Sequence, residues 1–216
     1  MTTERPPVRL GPAPPSPPQP AVRPGILNGV EPQPTPSAPT LVLFCGLPGS
    51  GKTTLARRLE AEGRGVRLSA DAWQAALGVG HADTDFHERL QSTLYDHALT
   101  LLRRGVDVIL EDGLWRRAER AEKIADARSC SARVELHVFD VDHDTLWTRL
   151  RHRNAEAESA AYPMTEAELR WAGGLFEPVT AAELAAVDAH ARHSGGLDAA
   201  ELTSTRALPQ RRPDHS

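Results

Sequence analysis

Between an apolar run, Leu41-Val42-Leu43-Phe44-Cys45, and a helical pattern that opens at Lys52 lies the segment Gly46-Leu47-Pro48-Gly49-Ser50-Gly51-Lys52-Thr53. It fits G-x-x-x-x-G-K-[ST] without a mismatch, in the strand–loop–helix setting that the pattern needs. Glycines let main-chain N–H groups turn inward around an anion with no Cβ in the way. The start of the following helix adds the positive end of its dipole. The spacing therefore predicts a nucleoside triphosphate site in which residues 46–54, Thr54 included, wrap the phosphates. Lys52 would reach the β- and γ-phosphate oxygens, and Thr53 would place its hydroxyl on Mg²⁺. Composition sharpens the expectation: of 25 basic residues only Lys52 and Lys123 are lysines. A lysine at the end of this loop is thus unusually informative.

The surrounding pattern alternates short apolar runs with amphipathic stretches. Strands are expected at 41–45, 66–69, 106–110 and 134–139. Helices are expected near 52–62, 84–104, 116–128, 144–154, 165–172 and 180–190, with a further one opening at Ala72. Alternation of this kind argues for an α/β fold in three layers, a mainly parallel sheet with helices on both faces. The sheet has four strands, or a fifth drawn from the tail.

Domain organisation follows from composition. Residues 1–39 hold 13 of the 18 prolines and read as a disordered, polyproline-leaning extension, either a dispensable tail or a ligand for a proline-binding module. Residues 195–216 are polar and aperiodic and read as a flexible tail. That leaves 40–194 as one folded unit, in keeping with 216 residues of which 40% are hydrophobic. No apolar run is long enough to span a bilayer and no signal-peptide core is evident, so a cytoplasmic, membrane-free protein is expected. The net charge of −4 is not the footprint of a general nucleic-acid binder. Cys45 and Cys130 cannot make a disulfide framework. His190 and His193 would share a helix face, without metal-ligand spacing around them.

Ligands of parallel α/β sheets sit beyond the carboxyl ends of the strands. Asp71 follows the second strand there, suited to accept the proton of an attacking hydroxyl or, alternatively, to cap the helix opening at Ala72. Glu111 and Asp112 end the third strand, and either can hold Mg²⁺ through water; strand alternation points them to opposite faces. Arg149 and Arg153 lie one helical turn apart, and Arg117 opens the helix after the third strand. Guanidinium forks suit the charge that develops on a transferring phosphoryl group. The stretch from Arg153 to Pro163 is a candidate lid.

Taken together, these residues resemble a family of small bacterial P-loop kinases often labelled AAA-family ATP-binding proteins, related to chloramphenicol phosphotransferase, zeta-toxin and polynucleotide kinases. The resemblance runs from about Leu41 to Leu184. It rests on the glycine-rich loop, Leu68-Ser69-Ala70-Asp71-Ala72-Trp73, and Leu110-Glu111-Asp112-Gly113-Leu114-Trp115 with Arg117 and Arg120. It continues through Arg149-Leu150-Arg151-His152-Arg153-Asn154 and Phe176-Glu177-Pro178. It implies strand order 2-3-1-4, ATP and Mg²⁺ as cofactors, Asp71 as base toward a substrate hydroxyl, and lid arginines at 149–153. The family's third strand usually ends in Asp, where this chain has Glu111 with Asp112 beside it. Ring assembly is not carried over, because 216 residues are too few for the added helical domain of ring-forming relatives.

The expected activity is transfer of the ATP γ-phosphoryl to a hydroxyl of a small molecule or nucleoside, with Lys52, Asp71, Arg117 and Arg153 as the working residues. Two other readings stand beside it: a nucleotide-controlled binding module, and a polynucleotide 5′-hydroxyl kinase acting on a short RNA or DNA end, which the acidic 40–194 segment disfavours.

Overall fold

The computed structural model describes residues 37–155 and 163–195. The proline-rich extension up to residue 36, the heart of the candidate lid at 156–162 and the tail from 196 lie outside the described residues. The elements run β1 (Thr40–Cys45), α1 (Lys52–Ala61), β2 (Val66–Leu68), α2 (Ala70–Ala76), α3 (Thr84–Arg103), β3 (Val108–Leu110), α4 (Arg117–Ser129), β4 (Arg133–Asp140), α5 (His143–Ala155), α6 (Glu166–Leu175), α7 (Ala181–Ala185) and β5 (Ala189–Ser194).

β1 reads as an unbroken apolar run because it is buried on both faces, as the inner strand of a parallel sheet must be. The sheet order is β2-β3-β1-β4-β5 and every pairing is parallel. Leu43 of β1 stands opposite Leu110 of β3 on one side and Leu136 of β4 on the other. Alternation divides β1 between two cores. Leu41, Leu43 and Cys45 pack with Leu94, Ala98 and Leu102 of α3 and Ala127 of α4. Val42 and Phe44 pack with Leu55, Ala56 and Leu59 of α1. A third cluster joins Leu146 and Leu150 of α5 to Leu169 of α6, with Leu47 of the glycine-rich loop against it. The loop is thereby seated on α5 by apolar contact.

The C-terminal stretch departs from the expectation of one helix over 180–190. α7 is a single short turn of helix, and Ala189–Ser194 becomes the fifth strand. Ala-His-Ala-Arg-His-Ser carries no β-branched residue and has little strand preference of its own. The open edge of β4 decides the matter, pairing from Glu135↔Ala189 to Asp140↔Ser194. His190 and His193 therefore fall on opposite faces of a strand rather than together on a helix; His193 is buried and His190 exposed.

His193 enters a buried polar column. His137 Nδ1 lies 3.0 Å from His193 Nε2, and His137 Nε2 lies 3.0 Å from Glu135 Oε1. Arg64 donates to Glu135 Oε2 at 2.7 Å. Phe44 stacks on His137 and Phe139 on His193, so the imidazoles lie within an aromatic stack. Burial and the neighbouring His137 hold His193 well below the usual histidine range, at about 4. Among the described residues no helix is long and apolar enough to cross a membrane.

Candidate functional site

The glycine-rich loop leaves β1 at the carboxyl edge of the sheet. Gly51 caps α1 with φ 103°, in the left-handed region where a side chain would be strained. Gly46 is required for space: a Cβ there would stand 2.8 Å from Phe139 Cβ. The Gly46 N–H donates to the Gly113 carbonyl at 3.1 Å, tying the loop to the β3–α4 connection. Lys52 Nζ spans the loop and donates to the carbonyls of Gly46 and Leu47, both at 2.9 Å. Burial lowers the Lys52 ammonium to about 8, against the opposing pull of Glu111 and Asp71. Ser50 Oγ is buried in the loop without a hydrogen-bond partner among the described residues.

Thr53, in the first turn of α1, donates its hydroxyl to Glu111 Oε1 at 2.5 Å. The other carboxylate oxygen of Glu111 pairs with Arg67, whose Nε also reaches Glu60 at 2.8 Å. Alternation at the end of β3 sends Asp112 the other way, beside α3 and α4. Asp112 is 7% exposed and its Oδ2 has no hydrogen-bond partner among the described residues. Burial pushes its carboxyl above the usual range, while Gln91, Lys123 and His87 pull against that. The two acids that the sequence left as alternatives thus occupy different places, Glu111 at Thr53 and Asp112 deep between two helices.

Asp71 stands in the first turn of α2. The capping alternative does not hold: the helix opens earlier, at Ala70, and Ser69 is its N-cap, accepting from the Ala72 N–H at 3.4 Å. The Asp71 carboxylate is left exposed on the cavity wall, 3.8 Å from His87 Nδ1. On α5, Arg149 reaches the Gly49 carbonyl at 3.5 Å and the Gly195 carbonyl at 2.8 Å. Arg153 lies one turn further on, its guanidinium drawn below the ordinary arginine value by burial and held up by Asp71. Asn154 links the chain on either side of 156–162, donating to the Met164 carbonyl at 2.8 Å.

These groups line one cavity of about 970 Å³. Pro48, Gly49, Gly51, Lys52, Thr53, Thr54, Arg149 and Arg153 form one end, Asp71 and Glu111 the middle, and Asp112 with parts of α3 and α4 the other end. Gly46, Leu47 and Ser50 complete the loop behind that wall. Arg117 is not brought to it. Its side chain is exposed and turned toward Glu183, 3.6 Å away, and its main-chain N–H donates to Glu177 at 2.6 Å. The helix that opens with Arg117 starts at the outer rim, so its first arginine faces solvent.

The arginine that does support the site is Arg120, one turn deeper and fully buried. Its Nε donates to Glu183 Oε1 at 2.7 Å, and NH1 donates to the carbonyls of Leu114 at 3.2 Å and Trp115 at 3.1 Å and to Cys45 Sγ at 3.6 Å. Trp115 Nε1 in turn donates to the Gly46 carbonyl at 3.2 Å. Leu114 holds φ 32°, a strained value for a leucine, inside this clamp. Within a helix rich in charged residues nothing in the local pattern marks Arg120 as the one that turns inward.

A parallel sheet of this order, with a G-x-x-x-x-G-K-T loop leaving its central strand and embracing a helix start, defines an α/β nucleotide-binding domain of the P-loop class. The chain belongs to the AAA_33 family, described as an AAA domain, which it matches over residues 41–179. Solved structures share the fold. A Chloroflexus aurantiacus protein described as a candidate kinase superposes with TM-score 0.60 at 21% identity, over 77% of this chain and 96% of that one. Kti12 of Chaetomium thermophilum, solved with ADP-AlF3, gives TM-score 0.57 at 17% identity, over 75% and 93% of the two chains. A gluconokinase from Sinorhizobium meliloti gives 0.51 at 16% identity, over 76% and 87%. In sequence, 110 residues are 32% identical to the 2′,3′-cyclic-nucleotide 3′-phosphodiesterase of Pongo abelii, half of this chain but only 25% of that protein's length.

Proposed function

We propose that this domain is an ATP-dependent kinase that transfers the γ-phosphoryl group to a hydroxyl of a small-molecule acceptor. The observation that carries the reading is a single cavity in which the glycine-rich loop with Lys52, the Thr53–Glu111 pair, Arg149 and Arg153 of α5, and the exposed carboxylate of Asp71 all meet.

The residues present suit ATP and Mg²⁺. Ser50 Oγ is a buried hydroxyl inside the loop with no hydrogen-bond partner among the described residues, and the Lys52 ammonium is already gathered against the carbonyls of the same turn. Thr53 and Glu111 form a hard oxygen pair of the kind that retains Mg²⁺ together with its waters. Mg²⁺ bound there would supply positive charge beside the β- and γ-phosphates. The loop amides and Lys52 hold the phosphates, and Arg149 and Arg153, which line the same cavity, offset the charge that builds on the transferring group. Asp71 orients the acceptor hydroxyl and takes its proton as the oxygen bonds to the γ-phosphorus; the bond from that phosphorus to the bridging oxygen breaks and ADP leaves with the electron pair. Arg67, fixed by Glu60 and Glu111, keeps the Glu111 carboxylate aimed at Thr53.

The test is ADP release over a panel of hydroxyl compounds with wild type, Lys52→Ala and Asp71→Asn. Lys52→Ala is expected to abolish Mg²⁺-dependent ATP binding. Asp71→Asn is expected to leave ATP binding intact and to lower turnover about a hundredfold or more, the usual worth of a positioned base. Equal turnover by wild type and Asp71→Asn removes Asp71 from the mechanism, and unaltered nucleotide binding by Lys52→Ala removes the reading altogether.

A further inference from the structure

The cavity is electrically divided. At the loop end stand Lys52, Arg149 and Arg153, a setting for a polyphosphate. At the far end, between α3 and α4, the walls carry Glu88, Asp112, Glu119 and Glu122, with Asp71 at the junction. Of the described lining residues on α3 and α4, the one lysine or arginine is Lys123, whose ammonium is already held 3.5 Å over the Tyr95 ring; His87 stands on the same wall. Surface acids alone would mean little, since charged faces are normally solvated. Asp112 is different. It is more than nine-tenths buried, it lines the same cavity, and Oδ2 accepts no hydrogen bond from any described residue. A buried carboxylate oxygen without a donor carries a desolvation cost that a donor from a ligand would remove. Asp112 also has no part at the Thr53 end, which Glu111 serves.

Resting on the kinase reading above, we infer that the acceptor is an amine-bearing, cationic alcohol, whose ammonium group is taken by Asp112 and the α3–α4 acids while a neighbouring hydroxyl is presented to Asp71. The same charge division works against acceptors that are themselves polyanions. A phosphodiester strand would bring its charges against Glu88, Glu119 and Glu122, and a sugar acid would meet Asp112.

The experiment compares four acceptors with the full chain and MgATP: kanamycin, glucosamine, glucose and a 5′-hydroxyl oligothymidylate. ADP release is followed at low and moderate salt, and calorimetric binding is measured on the complex with a non-hydrolysable ATP analogue. The amine-bearing pair is expected to bind and react with KM at least tenfold below glucose, a gap that narrows with salt as unpaired surface charges are screened. Asp112→Asn is expected to raise KM for the amine-bearing acceptors about tenfold while KM for ATP stays within twofold. Glu122→Gln, at an exposed position that does not endanger folding, is expected to shift it the same way by a smaller factor. Preference for glucose or the oligonucleotide, or an unchanged acceptor KM in both variants, overturns the inference. So does binding of the ATP analogue with no uptake of either amine. Failure of the wild type to bind MgATP at all is a separate result, which overturns the kinase reading itself.

Discussion

Replacing Arg120 by methionine keeps the length and most of the volume of the side chain but removes every polar contact it makes. Glu183 loses its 2.7 Å partner, and the carbonyls of Leu114 and Trp115 lose their donor. Arg120 and Thr180 hold the Glu183 carboxyl at about 2 despite its partial burial. Deleting one member of a buried pair costs about 3–5 kcal/mol, because the charge left behind loses its close counter-ion; Glu183 keeps its bonds from Thr180 and the longer contact to the exposed Arg117. A domain of this size holds about 5–15 kcal/mol in all, and each kcal/mol moves its melting temperature by about 2–4 °C. Arg120→Met is therefore expected to melt about 6–20 °C below wild type. The defect should reach the site, since Leu114 and Trp115 are freed and the Trp115 bond to the Gly46 carbonyl goes with them. Well below the new melting point, ATP affinity should fall while α5 and its arginines are untouched. The assay is thermal denaturation and ATP titration of Arg120→Met, Glu183→Gln and the double variant. The double variant should recover part of the loss, because a neutral amide no longer needs the cation. A melting temperature within 2 °C of wild type for Arg120→Met, or strictly additive losses in the double variant, would refute the clamp.

Two further outcomes follow from the same geometry. Arg153→Ala is expected to lower kcat about a hundredfold or more, in line with the loss of a group that stabilises transition-state charge, while Arg117→Ala stays within about twofold because its side chain faces Glu183 outside the cavity; steady-state kinetics of both variants decides this. Acid should loosen the β4–β5 edge: His193 is held neutral down to about 4 in the fold but titrates near 6.5 when exposed. The unfolded chain then binds more protons between those values, so stability is full above about 6.5 and falls by about 2–3 kcal/mol on descending to pH 4. Urea unfolding across that window measures it, and His193→Phe should flatten the slope; a slope unchanged by that substitution would show that another group carries it.

The sequence by itself determined most of the carboxyl edge of the sheet. A contiguous loop motif needs only its own backbone and the next helix to form, so Gly46 to Thr53 was legible without tertiary information. The order 2-3-1-4 followed from the resemblance, and the continuous burial of β1 from its apolar run. Tertiary structure decided what depends on partners distant in the chain. The fifth strand has no strand preference and exists because β4 offers an unpaired edge. The pairing of Thr53 with Glu111 rather than Asp112 depends on the register of β3 against β1, which adjacent acids cannot reveal. Arg117 and Arg120 are alike in sequence and, three residues apart, share a helix face toward Glu183; they differ because Arg117 stands in the exposed first turn of α4 and Arg120 one turn further in, against the packed sheet. Local patterns specify elements and loops; which of several similar side chains faces the ligand is settled when the elements pack.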